Sequence, residues 1–275
     1  MRNSSPICII GGYDQLSKSF FIDVRKKNKN AIFINVGKNN IEHDNVYNLE
    51  IFQLKKIFDL LFYFDVKNIL FLGKISRPNL SELVKDGEIE KYLSILSESF
   101  QKGDGNILST IIKIFLNKGF NIISPSKINK KNFFFDKEDL DNFNSLEDKN
   151  DSRKSIQILN ALSKYDNAQS IVCINGYIIA IEAVEGTDSL LKRTISVRKK
   201  LNQVKIKSGL LTKIPKKKQS KLVDLPVIGP KTIDLVYKAN LNGIAINPKY
   251  TMVYNKDKVL KLAKLYKLKI YSIKK

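Results

Sequence analysis

The feature that most restricts the fold of this chain is a repeated order of short apolar runs and helical segments. Pro6–Ile10 is an apolar run that leads directly into Gly11–Gly12. A helix is predicted over Gln15–Lys26, and Ala31–Val36 is apolar again. A strand, a glycine turn, a helix and a second strand in this order are typical of a right-handed crossover unit in a parallel sheet. We therefore predict an N-terminal Rossmann-like α/β domain.

The second half of the chain starts a new α/β pattern. It opens with a predicted helix near Ser155–Lys164 and two apolar runs, Ser170–Ile174 and Tyr177–Val184, joined by Asn175–Gly176. An Asn-Gly pair between two apolar runs predicts a β-hairpin. The intervening residues 129–152 are rich in Asn, Asp, Lys and Phe without a clear period, which indicates a linker. We expect an N-terminal domain at 1–128, a linker at 129–152, a C-terminal α/β catalytic domain at 153–275, and a ligand cleft between the domains.

Composition excludes several classes of protein. Hydrophobic residues make up 43% of the 275, enough for a packed core, and the two cysteines both lie in apolar runs. A disulfide framework and a cysteine-based zinc site are therefore excluded. A single histidine, His43, rules out a centre built from several imidazoles. A hydrolase with this composition must use carboxylates and backbone groups.

The chain is strongly basic, with 48 Lys+Arg against 27 Asp+Glu and a net charge of +21. The excess is mostly lysine, which reflects either base composition of the genome or attraction of polyanions. Helix-turn-helix, zinc-finger and aromatic RNA-binding signatures are not found, so we expect no nucleic-acid partner, with a basic RNA-binding protein as the alternative. The longest apolar stretch, Ile57–Leu72, is interrupted by charged residues, so we expect a cytoplasmic protein without a membrane span.

Three turns of the first half are candidate phosphate-binding loops. Gly11–Gly12 lets an anion approach backbone N–H groups, or is a plain tight turn. Ser76-Arg77-Pro78 follows a predicted strand, where ligands of α/β sheets bind, and Arg77 has the fork geometry suited to phosphate, or is a surface arginine. Lys102-Gly103-Asp104 precedes a helix and combines a cation with a carboxylate, or is a capped turn.

Two segments of the second half carry candidate catalytic groups. Glu185-Gly186-Thr187-Asp188 opens a helix after a strand and suits a magnesium and phosphate site, unless Thr187 or Asp188 is simply the helix cap. The lysine run Lys213–Lys221 leads to Asp224, which stands in the apolar frame Val223–Ile228 before Gly229-Pro230. An aspartate in a buried apolar frame needs a hydrogen bond or a metal. Asp224 is therefore the leading catalytic candidate, and an exposed loop aspartate is the alternative.

The chain resembles the LpxI-type UDP-2,3-diacylglucosamine pyrophosphatases of lipid A biosynthesis. The resemblance runs from residue 6 to 273 and is carried, in family order, by Gly11–Gly12, Lys74–Pro78, Lys102–Asp104, Glu182–Asp188 and Val223–Pro230. It implies two α/β domains, a homodimer, and magnesium-dependent hydrolysis of the pyrophosphate bond to UMP and 2,3-diacylglucosamine 1-phosphate (lipid X). A substrate held in the inner leaflet also implies transient contact with the inner membrane surface. A non-catalytic nucleotide-sugar or lipid-binding homologue is a second alternative.

The resemblance and the residue chemistry together give one set of candidate site residues. The family's essential aspartate falls at Asp224, which we expect to be catalytic. Mg²⁺ is expected to be held by Asp224, Asp188 and Glu185. The expected substrate-binding residues are Gly11, Gly12, Ser76, Arg77, Lys102, Asp104, Gly186, Thr187, Lys213, Gly229 and Thr232.

Overall fold

The chain divides into two compact units. The computed structural model describes residues 5–74, 90–92, 95–96, 99, 104–202, 206–216 and 222–273, with the backbone alone at 104–106. The first unit comprises Met1–Asn129 with Leu222–Asp224, and the second comprises Lys130–Lys221 with Leu225–Lys275. The main boundary therefore lies inside the segment predicted as a linker.

The first unit is built on a parallel sheet. Its helices and strands are β1 (Ile7–Gly11), α1 (Gln15–Lys27), β2 (Ile32–Asn35), β3 (Val46–Asn48), α2 (Leu54–Tyr63), β4 (Asn68–Phe71), α3 (Asp104–Asn117) and β5 (Asn121–Ile122). The strand order is β3-β2-β1-β4-β5 and every pairing is parallel. Successive residues Ile9 and Ile10 face opposite sides of the sheet, and both are fully buried. This is why the strands read as continuous apolar runs.

Residues 129–152 contain regular structure at both ends. Helix α4 covers Pro125–Phe133 and is kinked at Asn129, and α5 covers Leu146–Leu162. The predicted helix near Ser155 thus begins nine residues earlier than expected, where Ser145 accepts a hydrogen bond from the Asp148 N–H. Its first turns bury polar side chains, which hydrophobic periodicity does not register. The domain limits at 128 and 153 stay a prediction. Short 3₁₀ turns occur at Glu90–Tyr92, Lys137–Asp139 and Ser163–Tyr165.

The second unit contains a mixed sheet with helices. Its remaining elements are β6 (Ser170–Ile174), β7 (Tyr177–Ile181), α6 (Gly186–Lys200), β8 (Leu210–Lys213), β9 (Val227–Ile228), α7 (Pro230–Lys238), β10 (Gly243–Ile246), β11 (Met252–Val253), α8 (Lys256–Leu265) and β12 (Lys269–Ser272). The order is β12-β10-β8-β6-β7, and β9 and β11 form a separate parallel pair. Strands β8, β10 and β12 are parallel, whereas β6 is antiparallel to both neighbours.

The hairpin predicted from the Asn-Gly pair is confirmed. Asn175 and Gly176 join β6 to β7 with positive φ angles of 49° and 81°, the backbone conformation that a two-residue hairpin turn requires. Together with the parallel first sheet, the second sheet confirms the predicted fold class of two α/β units.

Among the residues that the structure describes, no helix is both long enough and apolar enough to cross a bilayer.

Candidate functional site

The glycine turn after β1 is required by close packing of backbone. A Cβ atom at Gly11 would overlap the carbonyl oxygen of Leu72, and one at Gly12 would overlap the carbonyl oxygen of Lys74. Only glycine lets the end of β1 lie this close to the segment that follows β4. Close backbone packing therefore explains why both positions are glycine, and their role in phosphate binding stays a prediction.

The helix that follows this turn begins with a carboxylate. Asp14 is the N-cap of α1, and its Oδ1 accepts a hydrogen bond of 2.9 Å from the Ser17 N–H. Its Oδ2 accepts a second, also of 2.9 Å, from the Lys74 N–H. A helix N-terminus attracts anions through its N–H groups and its dipole, and here the carboxylate of the chain itself takes that position.

Several candidates of the first half cannot be placed. Ser76, Arg77 and Lys102 lie outside the described residues, and so does the side chain of Asp104, whose backbone begins α3. Their expected contact with substrate stays a prediction.

The second unit brings three polar side chains together at strand ends. Lys213, the last residue of β8, is 8% exposed, and its Nζ donates a hydrogen bond of 2.8 Å to the Thr187 hydroxyl in the first turn of α6. The Thr187 hydroxyl donates in turn to Glu182 Oε1 at 3.0 Å. Ser170 Oγ lies 3.3 Å from the same hydroxyl oxygen. We call Glu182, Thr187 and Lys213 the lysine–threonine–glutamate cluster.

Two of these residues were candidates from the sequence, but the role of Glu182 was missed. Glu182 directly follows β7, and its backbone N–H donates to the carbonyl of Ser170, which fixes it beside β6. Its Oε2 atom is buried and accepts no hydrogen bond from the described residues. A buried lysine is costly unless it is hydrogen-bonded and near opposite charge, and this carboxylate supplies that charge through Thr187. Its position five residues before Thr187 was the available signal.

The start of helix α6 does not match the alternative in which Thr187 or Asp188 is the helix cap. Neither Thr187 nor Asp188 is its cap, because the N-cap residue is Glu185, which makes no side-chain capping hydrogen bond. Gly186 opens the helix with a φ of +77°, and a Cβ there would meet open space. The capping alternative is therefore wrong, and the Thr187 hydroxyl is used in the cluster instead.

The two acidic residues of this turn are paired with cations. Glu185 Oε1 lies 2.8 Å from the Arg193 guanidinium, and Asp188 Oδ2 lies 2.8 Å from Lys231 Nζ. A hydrogen bond from its own backbone, together with the one from Arg193, lowers the pKa of Glu185. The hydrogen bond to Asp188 raises the pKa of Lys231. Both carboxylates are thus paired with a cation and only partly buried.

Gly229 and Thr232 form the start of α7. Gly229 is the N-cap residue, Pro230 occupies the first helical position, and the Thr232 hydroxyl accepts a hydrogen bond of 3.3 Å from the Gly229 N–H. Thr232 is buried. The structure therefore gives both residues a local role in starting the helix, and their contact with substrate stays a prediction.

Asp224 stands out from its apolar frame. Val223 is buried in the core of the first unit and Leu225 is also buried, whereas the Asp224 side chain is exposed. Its φ is +53°, a left-handed conformation that aspartate tolerates better than most residues. The reversal explains how an aspartate reaches solvent between two buried neighbours.

The proposed magnesium ligands do not form a compact cluster of acids. Among the described residues, no group of three or more His, Cys, Asp and Glu side chains is placed to hold a metal ion. Magnesium is commonly held by one or two carboxylates together with substrate phosphates. The expected role of Asp224, Asp188 and Glu185 as magnesium ligands therefore stays a prediction.

These features define a class: a protein of two α/β units whose second unit presents a lysine, a hydroxyl and carboxylates at the ends of its strands. The chain belongs to the LpxI family. The family model of the LpxI N-terminal domain matches residues 6–132, and that of the LpxI C-terminal domain matches residues 141–271. The chain is also similar to the UDP-2,3-diacylglucosamine pyrophosphatase LpxI of Caulobacter vibrioides, with 29% identity over 197 residues that cover 71% of this chain and 70% of the relative. The resemblance seen in the sequence is confirmed.

Proposed function

We propose that this protein is a hydrolase of lipid A biosynthesis that cleaves the pyrophosphate bond of UDP-2,3-diacylglucosamine to UMP and 2,3-diacylglucosamine 1-phosphate. The observation that carries this proposal is the match to both LpxI domains over nearly the whole chain. The named activity of the Caulobacter vibrioides relative supports the choice of substrate. The chemistry of the second unit is compatible with a diphosphate ligand.

The lysine–threonine–glutamate cluster is proposed to bind the diphosphate. Lys213 supplies positive charge in a buried position, where electrostatic attraction is screened less than in water. Helix α6 starts without a side-chain cap, which suits its first N–H groups to an anion. Glu182 fixes the Thr187 hydroxyl as an acceptor from Lys213, so the ammonium group stays in one position. Groups held in place before the reaction stabilise developing charge at the lowest cost.

Asp224 is proposed to be the catalytic carboxylate. Magnesium, when bound, would neutralise charge on the diphosphate and lower the pKa of an attacking water. Asp224, Asp188 and Glu185 are the residues proposed to hold it. For Asp188 and Glu185 this requires exchange of their present partners, Lys231 and Arg193, which are then free to meet phosphate oxygens.

The setting of the reaction follows from the proposed substrate. We propose a cytoplasmic homodimer that contacts the inner membrane surface transiently, because its substrate combines a nucleotide with two acyl chains. A net charge of +21 favours association with an anionic surface.

The test is incubation of the purified protein with UDP-2,3-diacylglucosamine, with and without magnesium, and mass spectrometry of the nucleotide and lipid products. We expect UMP and lipid X in equal amounts, lost on chelation. Asp224→Ala is expected to lower turnover by at least about 1,000-fold without loss of folding, because a carboxylate near the reacting phosphate is removed.

Asp65→Ala is the matched control for Asp224→Ala. Asp65 is also an exposed aspartate of the first unit with a positive φ, +48°, and its replacement should leave turnover unchanged. Full activity of Asp224→Ala would remove the catalytic assignment. Substrate binding without products would identify a non-catalytic homologue, and salt-sensitive RNA binding without substrate binding would favour the polyanion alternative.

A further inference from the structure

An apolar groove lies beside the edge strand of the second sheet. It has a volume of about 700 Å³ and is formed by the β6–β7 hairpin, the end of α6 and residues 206–208. Its apolar lining includes Tyr177, Ile179, Val197, Leu201 and Ile206. The described residues that line it include no charged side chain.

Three of these side chains are largely exposed. Tyr177 is 75% exposed, Ile206 is 75% exposed and Leu201 is 54% exposed. Single exposed apolar side chains are ordinary on a protein surface, but several that converge on one groove mark an interaction site. Burial of this surface by a ligand or a partner would be favourable.

Two lysines lie in elements that form the groove or contact it. The Lys154 ammonium donates a hydrogen bond of 2.6 Å to the carbonyl of Gly176 in the hairpin turn. Lys200 lies in the last turn of α6, directly before Leu201 and one helical turn after Val197, and both lysines are exposed. The groove therefore combines an apolar floor with a positive rim, as membrane-surface sites do.

We propose that this groove docks the protein on an anionic lipid bilayer, with Tyr177, Leu201 and Ile206 in contact with the acyl region and Lys154 and Lys200 in contact with headgroup phosphates. This inference deepens the proposed function and rests on it for its purpose, since that substrate resides in a membrane. A second copy of the chain is a poorer occupant, because a two-fold contact across the groove would place the lysines of both copies in one interface.

The test is co-sedimentation of the purified full chain with vesicles of phosphatidylglycerol and phosphatidylcholine, and with vesicles of phosphatidylcholine alone. We expect binding to the anionic vesicles that weakens as salt is raised. The double variant L201E/I206E should bind at least about tenfold more weakly, because two apolar contacts become charged. Lys154→Gln and Lys200→Gln should each weaken binding to the anionic vesicles about fivefold.

Leu265→Glu is the matched control, since Leu265 is 70% exposed at the end of α8 and does not line the groove. It should bind vesicles as the unaltered protein does. Turnover of detergent-dispersed substrate should be unchanged in L201E/I206E, because neither residue belongs to the proposed catalytic machinery. The vesicle assay contains no substrate, so it tests docking even if turnover is absent in every variant. Absence of turnover in every variant would reject the proposed function alone.

Three outcomes would overturn the docking proposal. The first is no vesicle binding by the unaltered protein, and the second is unchanged binding by L201E/I206E. The third is a dimer of the unaltered protein, seen by light scattering, that dissociates in L201E/I206E, since the occupant of the groove would then be a second copy.

Discussion

Helices α1 and α6 both follow a strand and a glycine-containing turn, yet their N-termini are built differently. Before α1, Gly11 and Gly12 are compressed against backbone, and Asp14 caps the helix with its own carboxylate. Before α6, Gly186 faces open space, and the N-cap residue makes no side-chain capping bond. There Thr187 joins Lys213 and Glu182 instead.

The difference teaches that a glycine before a helix has two separate physical causes. One is the close approach of two backbones, which excludes any Cβ. The other is a left-handed backbone conformation that reverses the chain and leaves the helix N-terminus open. Only the second arrangement leaves the helix without a side-chain cap. The following variants test this contrast in order of decreasing expected effect.

Gly11→Ala should have the largest effect, on folding itself. The added Cβ would overlap the Leu72 carbonyl, so the end of β1 must move away from the segment after β4, and we expect a loss of more than about 4 kcal/mol in the free energy of unfolding. Gly186→Ala should cost only about 1–2 kcal/mol, because its penalty is backbone conformation without overlap. Denaturant unfolding of both variants measures the contrast, and equal losses would contradict it.

Lys213→Met should have the largest effect on catalysis within the cluster. Removal of a buried positive charge from the proposed diphosphate site is expected to lower kcat/KM by about 100-fold. Lys26→Met is the matched control, since its side chain is 69% exposed in the last turn of α1 and the change should be within about threefold. Steady-state kinetics on folded variants provide the comparison. Similar losses for the two lysines would mean that burial in the cluster has no special importance.

Glu182→Ala should lower kcat/KM about tenfold, because Thr187 loses its acceptor and Lys213 its nearby negative charge. Glu182→Gln should recover most of this loss, since its amide oxygen still accepts from Thr187. The change should fall mainly on KM if the cluster holds the diphosphate before reaction. If Glu182→Gln is as impaired as Glu182→Ala, the charge of Glu182 is what matters and not its hydrogen bond.

Asp14→Asn should have the smallest effect. Asparagine caps helices about as well as aspartate, so only the hydrogen bond from the Lys74 N–H is lost, and the free energy of unfolding should fall by about 1 kcal/mol. KM for the substrate should also stay within about twofold if the Gly11–Gly12 turn serves backbone packing alone. A several-fold lower KM would instead mean that a negative charge had been removed beside the diphosphate. That result would support the phosphate-binding role predicted for Gly11 and Gly12.

The candidate site was only partly predictable from the sequence. Thr187 was singled out because its segment opens a helix after a strand, and Lys213 because it begins the lysine run that leads to Asp224. Glu182 was missed as a site residue, because its role depends on the pairing of β6 with β7 and β8. Glu185 and Asp188 were expected as metal ligands alone, and their pairing with Arg193 and Lys231 was not anticipated. Contacts between side chains distant in sequence leave no local pattern.

The sequence by itself determined the order of elements, the two α/β units, the hairpin at Asn175–Gly176 and the family. Local periodicity, turn chemistry and motif order carry that information. The tertiary structure alone decided that Gly11 and Gly12 serve close backbone packing, that Asp224 reaches solvent between two buried neighbours, and that an apolar groove lies beside β7. Each of these depends on which segments meet in space. The helical or strand period of one segment shows which of its faces is apolar, but it does not show which other segment packs there.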